Sequence, residues 1–64
     1  MNKIQTLTDN NNRTIGYLYD DGNRLVLTDS SNRTLGYYYK REDETRDPSN
    51  RTIGHGNLLT MLLK

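Results

Sequence analysis

The sequence predicts an all-β protein of repeated antiparallel β-hairpins, about three meander-like units of 20 residues, followed by a short C-terminal helix. The main observation is an internal repeat. Segments 8–19 (TDNNNRTIGYLY) and 28–39 (TDSSNRTLGYYY) recur at a spacing of 20 residues, and a shorter copy (DPSNRTIGH) occupies 47–55. The second observation is that each copy opens with a turn-forming Asp-x-x-Asn-Arg sequence and continues as a short β-prone run.

The turn sequence occurs four times, at residues 9–13, 20–24, 29–33 and 47–51. Asp and Asn side chains fold back onto nearby backbone amides and tolerate left-handed backbone, so they favour turns. Gly22 and Pro48 suit the same geometry. The turns predict six strands, near residues 3–8, 13–19, 24–28, 33–39, 44–46 and 51–55. They define one domain over residues 1–64, with repeat units at 3–19, 24–39 and 44–55.

Alternation along the second and fourth strands predicts two different sheet faces. One face carries arginine, aliphatic and tyrosine side chains, and the other carries threonine and glycine. The first face comprises Arg13, Ile15, Tyr17 and Tyr19 with their equivalents Arg33, Leu35, Tyr37 and Tyr39. The second comprises Thr14, Gly16 and Leu18 with Thr34, Gly36 and Tyr38.

The C-terminal segment is the most apolar part of the chain. Asn57 is a suitable N-cap for a helix over residues 57–63. A helix this short is unstable alone in water and must dock. Two partners are open, the base of the β-repeat or another copy of the chain. The candidate contacts with another copy are Leu58, Leu59, Leu62 and Leu63.

Composition limits how such a small domain can be stabilised. Only 31% of the 64 residues are hydrophobic, and the chain contains no Cys, Phe or Trp. The lack of Cys excludes disulfides, Cys-ligated zinc and a thiol nucleophile. A chain of this size buries a small share of its surface. Together with open strand edges and the leucine-rich end, this predicts a homo-oligomer.

The repeat resembles the small bacterial and phage proteins called four-fold β-flower proteins. The resemblance rests on Arg-Thr-Ile/Leu-Gly at residues 13–16, 33–36 and 51–54, followed by Gly-Asn-Leu-Leu at 56–59. It covers most of the chain from residue 8 onward and implies a fold without implying an activity. The chain departs from the family pattern because it has three units rather than four. Asn also stands where relatives often carry Gly.

The repeated tyrosines and arginines are the candidate binding residues. Tyrosine rings at equivalent positions can stack on a sugar, a base or a protein surface, or they can form the core of a chain without Phe and Trp. The arginines can pair with the Asp four residues earlier or stack on a tyrosine. The candidate binding surface comprises Tyr17, Tyr37, Tyr38, Arg13 and Arg33.

The function predicted from these residues is a non-enzymatic structural or interaction module that binds another protein or assembles with itself. The alternative is carbohydrate or cell-wall binding through the tyrosines, because cell-wall-binding repeats use hairpins of similar length with a Gly-aromatic pair. No nucleophile or acid–base pair emerges, and no cofactor or metal site is expected. His55 is the single histidine and replaces a repeat tyrosine. The segment 40–47 (KREDETRD) is expected to be a solvated loop.

Charge and hydropathy narrow the expected partners and location. The chain has 9 Lys and Arg residues and 8 Asp and Glu residues. This nearly even charge balance does not favour binding to nucleic acid or to anionic membrane surfaces. No apolar stretch reaches the length of a membrane span, and none resembles a signal peptide. The expected location is the cytoplasm.

Overall fold

A computed structural model describes residues 2–63 of the chain and confirms the all-β prediction. Six antiparallel strands follow one another in a single sheet with the order β1-β2-β3-β4-β5-β6. A single 3-10 turn follows the last strand. The strands are β1 Asn2–Thr8, β2 Thr14–Asp20, β3 Arg24–Asp29, β4 Thr34–Tyr39, β5 Glu44–Arg46 and β6 Thr52–His55, and the 3-10 turn is Leu59–Leu62.

The repeated turn is built by its own aspartate. In the β3–β4 turn, Asp29 Oδ1 accepts the backbone N–H groups of Ser31 and Arg33, both at 2.9 Å. The backbone N–H of Asn32 donates to the Asp29 carbonyl at 3.0 Å. Asn32 has a φ of 66°, the left-handed region that Asn tolerates better than most residues. The same geometry recurs at Asn12 and Asn50, which fixes all three turns at one end of the sheet.

A β-bulge follows each of these turns and breaks the strict alternation expected from the sequence. Between β3 and β4, Leu27 pairs with Gly36 while Thr28 pairs with Thr34, so Leu35 is an extra residue. Ile15 and Ile53 are the equivalent extra residues in the other units. A bulge re-aims the side chain it carries.

The bulges correct the predicted positions of two aliphatic residues. Ile15 and Leu35 were expected beside the tyrosines. They instead line a groove of about 530 Å³ together with Leu62 and Leu63, on the opposite side of the sheet. Thr14 and Thr34, expected beside the glycines, are also moved to the register of the tyrosines, since they pair with Thr8 and Thr28. From the repeat glycines onward alternation is as predicted, because Leu18 pairs with Leu27 on one face and neighbouring residues pair on the other.

Most of the core lies on the face that carries the repeat glycines, named here the leucine face. Its centre is Leu27, which is 1% exposed, with Leu59 above it at 3%. Strand pairing places further apolar side chains around this centre. The leucine face comprises Leu7, Gly16, Leu18, Leu25, Leu27, Gly36, Tyr38, Thr45 and Gly54.

The leucine tail, residues 57–63, crosses this face and contacts the three repeat glycines. A Cβ atom placed on Gly16 would lie 3.2 Å from Leu63 Cδ2. A Cβ on Gly54 would lie 2.5 Å from Leu58 Cδ1. Gly36 faces the middle of the tail. Each glycine is therefore a notch that one or two leucines of the same chain fill.

The tail contains less helix than the helix predicted over residues 57–63. Asn57 Oδ1 accepts the N–H of Leu59 at 3.2 Å, but the N-cap residue is Leu58 rather than the predicted Asn57. Only Leu59–Leu62 is helical, and it is 3-10. Residues i and i+3 eclipse in a 3-10 turn, so Leu59 and Leu62 both point toward Gly36.

Thr45 fastens the tail to the sheet. Its side chain is fully buried, and its hydroxyl donates to the Gly56 carbonyl at 2.7 Å and accepts the Leu58 N–H at 2.9 Å. Leucine stands at the equivalent positions of the first two units, Leu7 and Leu27. The departure from the repeat at Thr45 thus supplies the hydrogen bonds that the start of the tail needs.

Replacing Thr45 by valine tests this role, because valine has nearly the same shape as threonine but no hydroxyl. We expect Thr45→Val to lower the free energy of unfolding by about 1–3 kcal/mol, because it leaves two half-buried backbone groups, the Gly56 carbonyl and the Leu58 N–H, without the Thr45 hydroxyl. Urea denaturation followed by circular dichroism measures the loss. Thr60→Val on the exposed side of the tail is the control and should change stability by less than about 0.5 kcal/mol. Equal effects of the two variants would contradict the role given to Thr45.

No helix within residues 2–63 has the length and apolar character needed to cross a membrane.

Candidate functional site

The second face of the sheet carries four tyrosines and is named here the tyrosine face. Tyr19 and Tyr37 pair with Val26 from either side and leave it 4% exposed. Tyr17 pairs with Thr28, which is 5% exposed. All the tyrosines remain half-buried. The tyrosine face comprises Lys3, Thr6, Tyr17, Tyr19, Arg24, Val26, Thr28, Tyr37, Tyr39, Glu44, Arg46, Thr52 and His55.

The tyrosines form two equivalent pairs, one on β2 and one on β4. The ring centroids of Tyr17 and Tyr19 are 6.5 Å apart, and those of Tyr37 and Tyr39 are 6.3 Å apart. These separations are typical of tilted and edge-to-face aromatic contacts. The 20-residue repeat therefore places two matching aromatic pairs two strands apart, about 10 Å.

Cationic side chains lie against the rings. Arg24 Cζ is 4.4 Å from the centroid of Tyr37, and Arg46 Cζ is 4.3 Å from that of Tyr39. On the first pair, Lys3 Nζ lies 5.2 Å from the Tyr17 ring. Distances under about 6 Å allow cation–π attraction. The face thus presents aromatic rings interleaved with positive charge.

Hydrogen bonds fix the outer ends of two rings. The Tyr19 hydroxyl donates to Asn32 Oδ1 at 3.1 Å, and the Tyr39 hydroxyl donates to Asn50 Oδ1 at the same distance. Arg24 Nη1 also donates to the Tyr39 hydroxyl at 3.0 Å. Each of the two tyrosines therefore reaches the left-handed turn residue of the following unit. These bonds hold the Tyr19 and Tyr39 rings in place.

The structure divides the sequence-predicted binding residues among three places. Tyr17 and Tyr37 lie on the tyrosine face. Tyr38 lies on the leucine face, where it pairs with Leu25 and Thr45. Arg13 and Arg33 lie at the turn end of the sheet, away from the tyrosine rings. Tyr17 and Tyr37 are the members of the predicted set that share one surface.

Tyr38 is half-buried, as the other tyrosines are. Its hydroxyl donates to Asp43 Oδ1 at 2.6 Å. This hydrogen bond to a carboxylate raises the pKa of Tyr38 above its ordinary value. The residue therefore fastens the β4–β5 turn, in which Asp43 has a φ of 55°.

The turn arginines pair with their own aspartates, as one of the two sequence interpretations expected. Arg33 Nε lies 3.1 Å from Asp29 Oδ2, and its side chain is 83% exposed. Arg13 and Arg51 have the same arrangement. Exposed pairs of this kind contribute little to stability. Their guanidinium groups form a row along the turn end, one per unit.

The turn at residues 20–24 departs from the repeated pattern. The sequence suggested that Asp20 and Arg24 would be partners, but Arg24 Nε lies 2.7 Å from Asp21. Asp20 instead forms an ion pair with Lys40 of the β4–β5 turn, with 2.9 Å between Asp20 Oδ2 and Lys40 Nζ. Arg24 has a different partner because Gly22 has a φ of 98° and this turn is tighter than the other three.

Sequence reasoning missed two cations of the tyrosine face, Lys3 and Arg46, which reach the rings from neighbouring strands, so nothing in local spacing points to them. Arg24 is a turn arginine, for which stacking on a tyrosine was one of the two expectations. The signal that was available is alternation across paired strands, because Arg24 is opposite Tyr39 and Arg46 is opposite Tyr37.

The turn aspartates give the fold a defined pH dependence. Backbone N–H groups of Arg33 and Arg51 hold the pKa values of Asp29 and Asp47 below the ordinary 3.8. The pKa of Asp20 is lowered by the Gly22 N–H and by Lys40. Because folding favours the ionised forms, their stabilisation is complete above the unfolded pKa and is lost as pH falls through the folded values.

We therefore expect stability to be flat between about pH 7 and pH 5 and to fall steeply below about pH 4. Thermal unfolding at a series of pH values measures the slope. The double variant Asp29→Asn, Asp47→Asn should weaken the acid dependence, since an amide does not titrate. An unchanged slope in that variant would show that other carboxyls govern acid unfolding.

His55 extends the tyrosine face at its edge. Its side chain is 80% exposed and its Nε2 lies 3.8 Å from Glu44 Oε2. Across residues 2–63, no group of three or more His, Asp or Glu side chains is arranged to hold a metal ion. The chemistry available on this face is stacking, cation–π contact and hydrogen bonding.

Comparison with protein family models, curated proteins and solved structures gave no match for this chain.

Proposed function

We propose that this protein is a non-enzymatic interaction module and that the tyrosine face binds another protein. The observation that carries the proposal is the difference between the two faces. The leucine face is covered by the chain's own leucine tail. The tyrosine face has no such cover among residues 2–63 and presents two equivalent aromatic pairs with cations against the rings.

Residue chemistry supports a protein partner. Tyrosine and arginine are over-represented among residues that dominate protein interfaces. Tyrosine in particular buries a large area at a low cost in conformational entropy. Tyr19 and Tyr39 are already held by hydrogen bonds, so binding immobilises little that is free. Arg24 and Arg46 are paired with Asp21 and Glu44, so Lys3 is the cation of this face that favours a partner carboxylate beside apolar groups.

Two single substitutions test the proposal. Tyr17→Thr removes a ring whose hydroxyl has no hydrogen-bond partner among the described residues, and threonine already stands on both neighbouring strands at Thr6 and Thr28. Tyr38→Phe is the matched control on the opposite face. We expect a partner captured by the wild-type chain to be retained by Tyr38→Phe and lost by Tyr17→Thr. Identical capture by both variants would overturn the proposal, provided that both keep the wild-type circular dichroism spectrum.

Carbohydrate binding is the second candidate, favoured by the matching tyrosine pairs about 10 Å apart. Rings spaced in this way can stack on separate sugars of one chain. Titration with soluble β-linked oligosaccharides, followed by tyrosine fluorescence, tests it directly. A saturable change that Tyr17→Thr abolishes would replace the protein partner with a glycan.

Three coarser proposals accompany this function. The β-flower resemblance supports a bacterial or phage origin, and the cytoplasmic location remains the expectation stated from the sequence. The sparse core supports self-association. Each follows from the sequence arguments given above and from the all-β repeat.

A further inference from the structure

The two outer edges of the sheet are uncovered by the rest of the described chain. β1 and β6 are the terminal strands, and each has one neighbour. Each carries an exposed isoleucine, Ile4 at 53% and Ile53 at 46%. An edge strand exposes unpaired backbone N–H and C=O groups that can pair with another strand.

The repeat makes these two edges complementary to each other. Aligning the turns at Asp9, Asp29 and Asp47 makes β1 equivalent to β3 and β5, and β6 equivalent to β2 and β4. Consecutive units join inside the chain through β2–β3 and β4–β5. The free edge of β6 is thus equivalent to edges that already bind β3 and β5. The free edge of β1 is equivalent to the edges of β3 and β5 that bind β2 and β4.

We propose that β6 of one copy pairs antiparallel with β1 of a second copy, head to tail, and continues the boundary between units. The internal boundaries set the register. Tyr17 pairs with Thr28, and Tyr37 pairs with Arg46. In the third unit, position 55 is equivalent to Tyr17 and Tyr37, and in the first unit, position 8 is equivalent to Thr28 and Arg46. His55 of one copy therefore lies opposite Thr8 of the next.

This contact is weaker than the internal boundaries for an identifiable reason. A tyrosine hydroxyl crosses each internal boundary to an asparagine, from Tyr19 to Asn32 and from Tyr39 to Asn50. Asn57 stands at the tyrosine position of the third unit, so this bond is missing between copies. β6 also has only four residues. Association is therefore concentration-dependent, and it leaves the tyrosine face free.

Single-cysteine variants test the register, because the chain has no native cysteine. Directly opposed Cβ atoms in an antiparallel pair are about 4.5–5.5 Å apart, close to the disulfide range. Thr8→Cys and His55→Cys are oxidised with diamide, separately and mixed. We expect the mixture to form disulfide-linked dimers at least about tenfold faster than either variant alone.

Arg41→Cys, in the exposed β4–β5 turn, mixed with Thr8→Cys gives the rate of chance collision. Crosslinking of the Thr8→Cys and His55→Cys mixture at that rate would overturn the proposal. Faster crosslinking of Thr8→Cys alone would show two-fold β1–β1 pairing and would also overturn it. Because neither cysteine replaces a tyrosine, failure here is separate from failure of the proposed binding function.

Light scattering of the wild-type chain supplies a second measurement. The average mass should rise with concentration, and Ile4→Lys should suppress the rise, since a charge on an edge strand opposes pairing. Circular dichroism establishes that this variant is folded. A mass that stays that of one chain at millimolar concentration would overturn the inference.

Discussion

A chain that ends at Gly56 is expected to be unfolded in water at 25 °C. It lacks the leucine tail, including the buried Leu59 and the half-buried Leu58, Leu62 and Leu63. Each fully buried leucine contributes about 1.5–3 kcal/mol. A domain of this length has a total stability of only about 3–10 kcal/mol. Losing the tail removes a comparable amount and leaves the glycine notches open to water.

Circular dichroism and amide proton NMR dispersion measure this outcome. The control is full-length Met61→Ser, because Met61 is 74% exposed on the outer side of the tail. It should unfold within a few degrees of the wild-type chain. A cooperative thermal transition in the truncated chain would contradict the prediction.

The native mass of the full-length chain completes this experiment. A folded full-length monomer whose truncated form is unfolded identifies the tail as an intramolecular cover, as the structure places it. Loss of both assembly and folding on truncation would instead support the candidate role of the leucines as contacts between copies. The sequence left these two roles open.

Gly36→Ala is expected to be strongly destabilising, and Gly16→Ala belongs to the same class because its Cβ would lie 2.5 Å from the Thr28 carbonyl oxygen. The new Cβ would collide with Leu62 Cδ1 and lie 2.9 Å from the Arg46 carbonyl oxygen, so both a side chain and a neighbouring strand must move. Overpacking of this kind costs about 1–3 kcal/mol. For a domain of this size, a loss of about 2–3 kcal/mol lowers Tm by about 10–20 °C.

The matched variant is Gly54→Ala, where the nearest atom belongs to the flexible side chain of Leu58. Its smaller loss should be partly relieved in the double variant Gly54→Ala, Leu58→Ala, which makes the pair less than additive. Thermal unfolding of all variants gives the comparison. A Gly36→Ala chain as stable as the wild type would show that the notch is not filled.

The repeat in the sequence was sufficient to predict the strands and the turns. Asp29 and Asn32 illustrate why, since the geometry of the turn depends on hydrogen bonds within five residues. Tyr17 and Tyr19 were correctly placed on one face because alternation is a property of extended backbone.

Local pattern could not predict the bulge that moved Ile15 and Leu35, because a bulge is defined against the opposite strand. It also could not place Lys3 on Tyr17, since the two residues meet only after β1 pairs with β2. Tyr38 was grouped with Tyr17 and Tyr37 by residue type, although its strand position places it on the other face.

The sequence by itself determined the class of fold, the number of strands and the three equivalent turns, because these depend on interactions between residues close in the chain. The tertiary structure decided which face is closed by the leucine tail and which face is left uncovered by the described chain. Which face is covered depends on contacts between residues far apart in sequence, above all between the repeat glycines and the leucines of the tail. Such contacts depend on the shape of the assembled sheet.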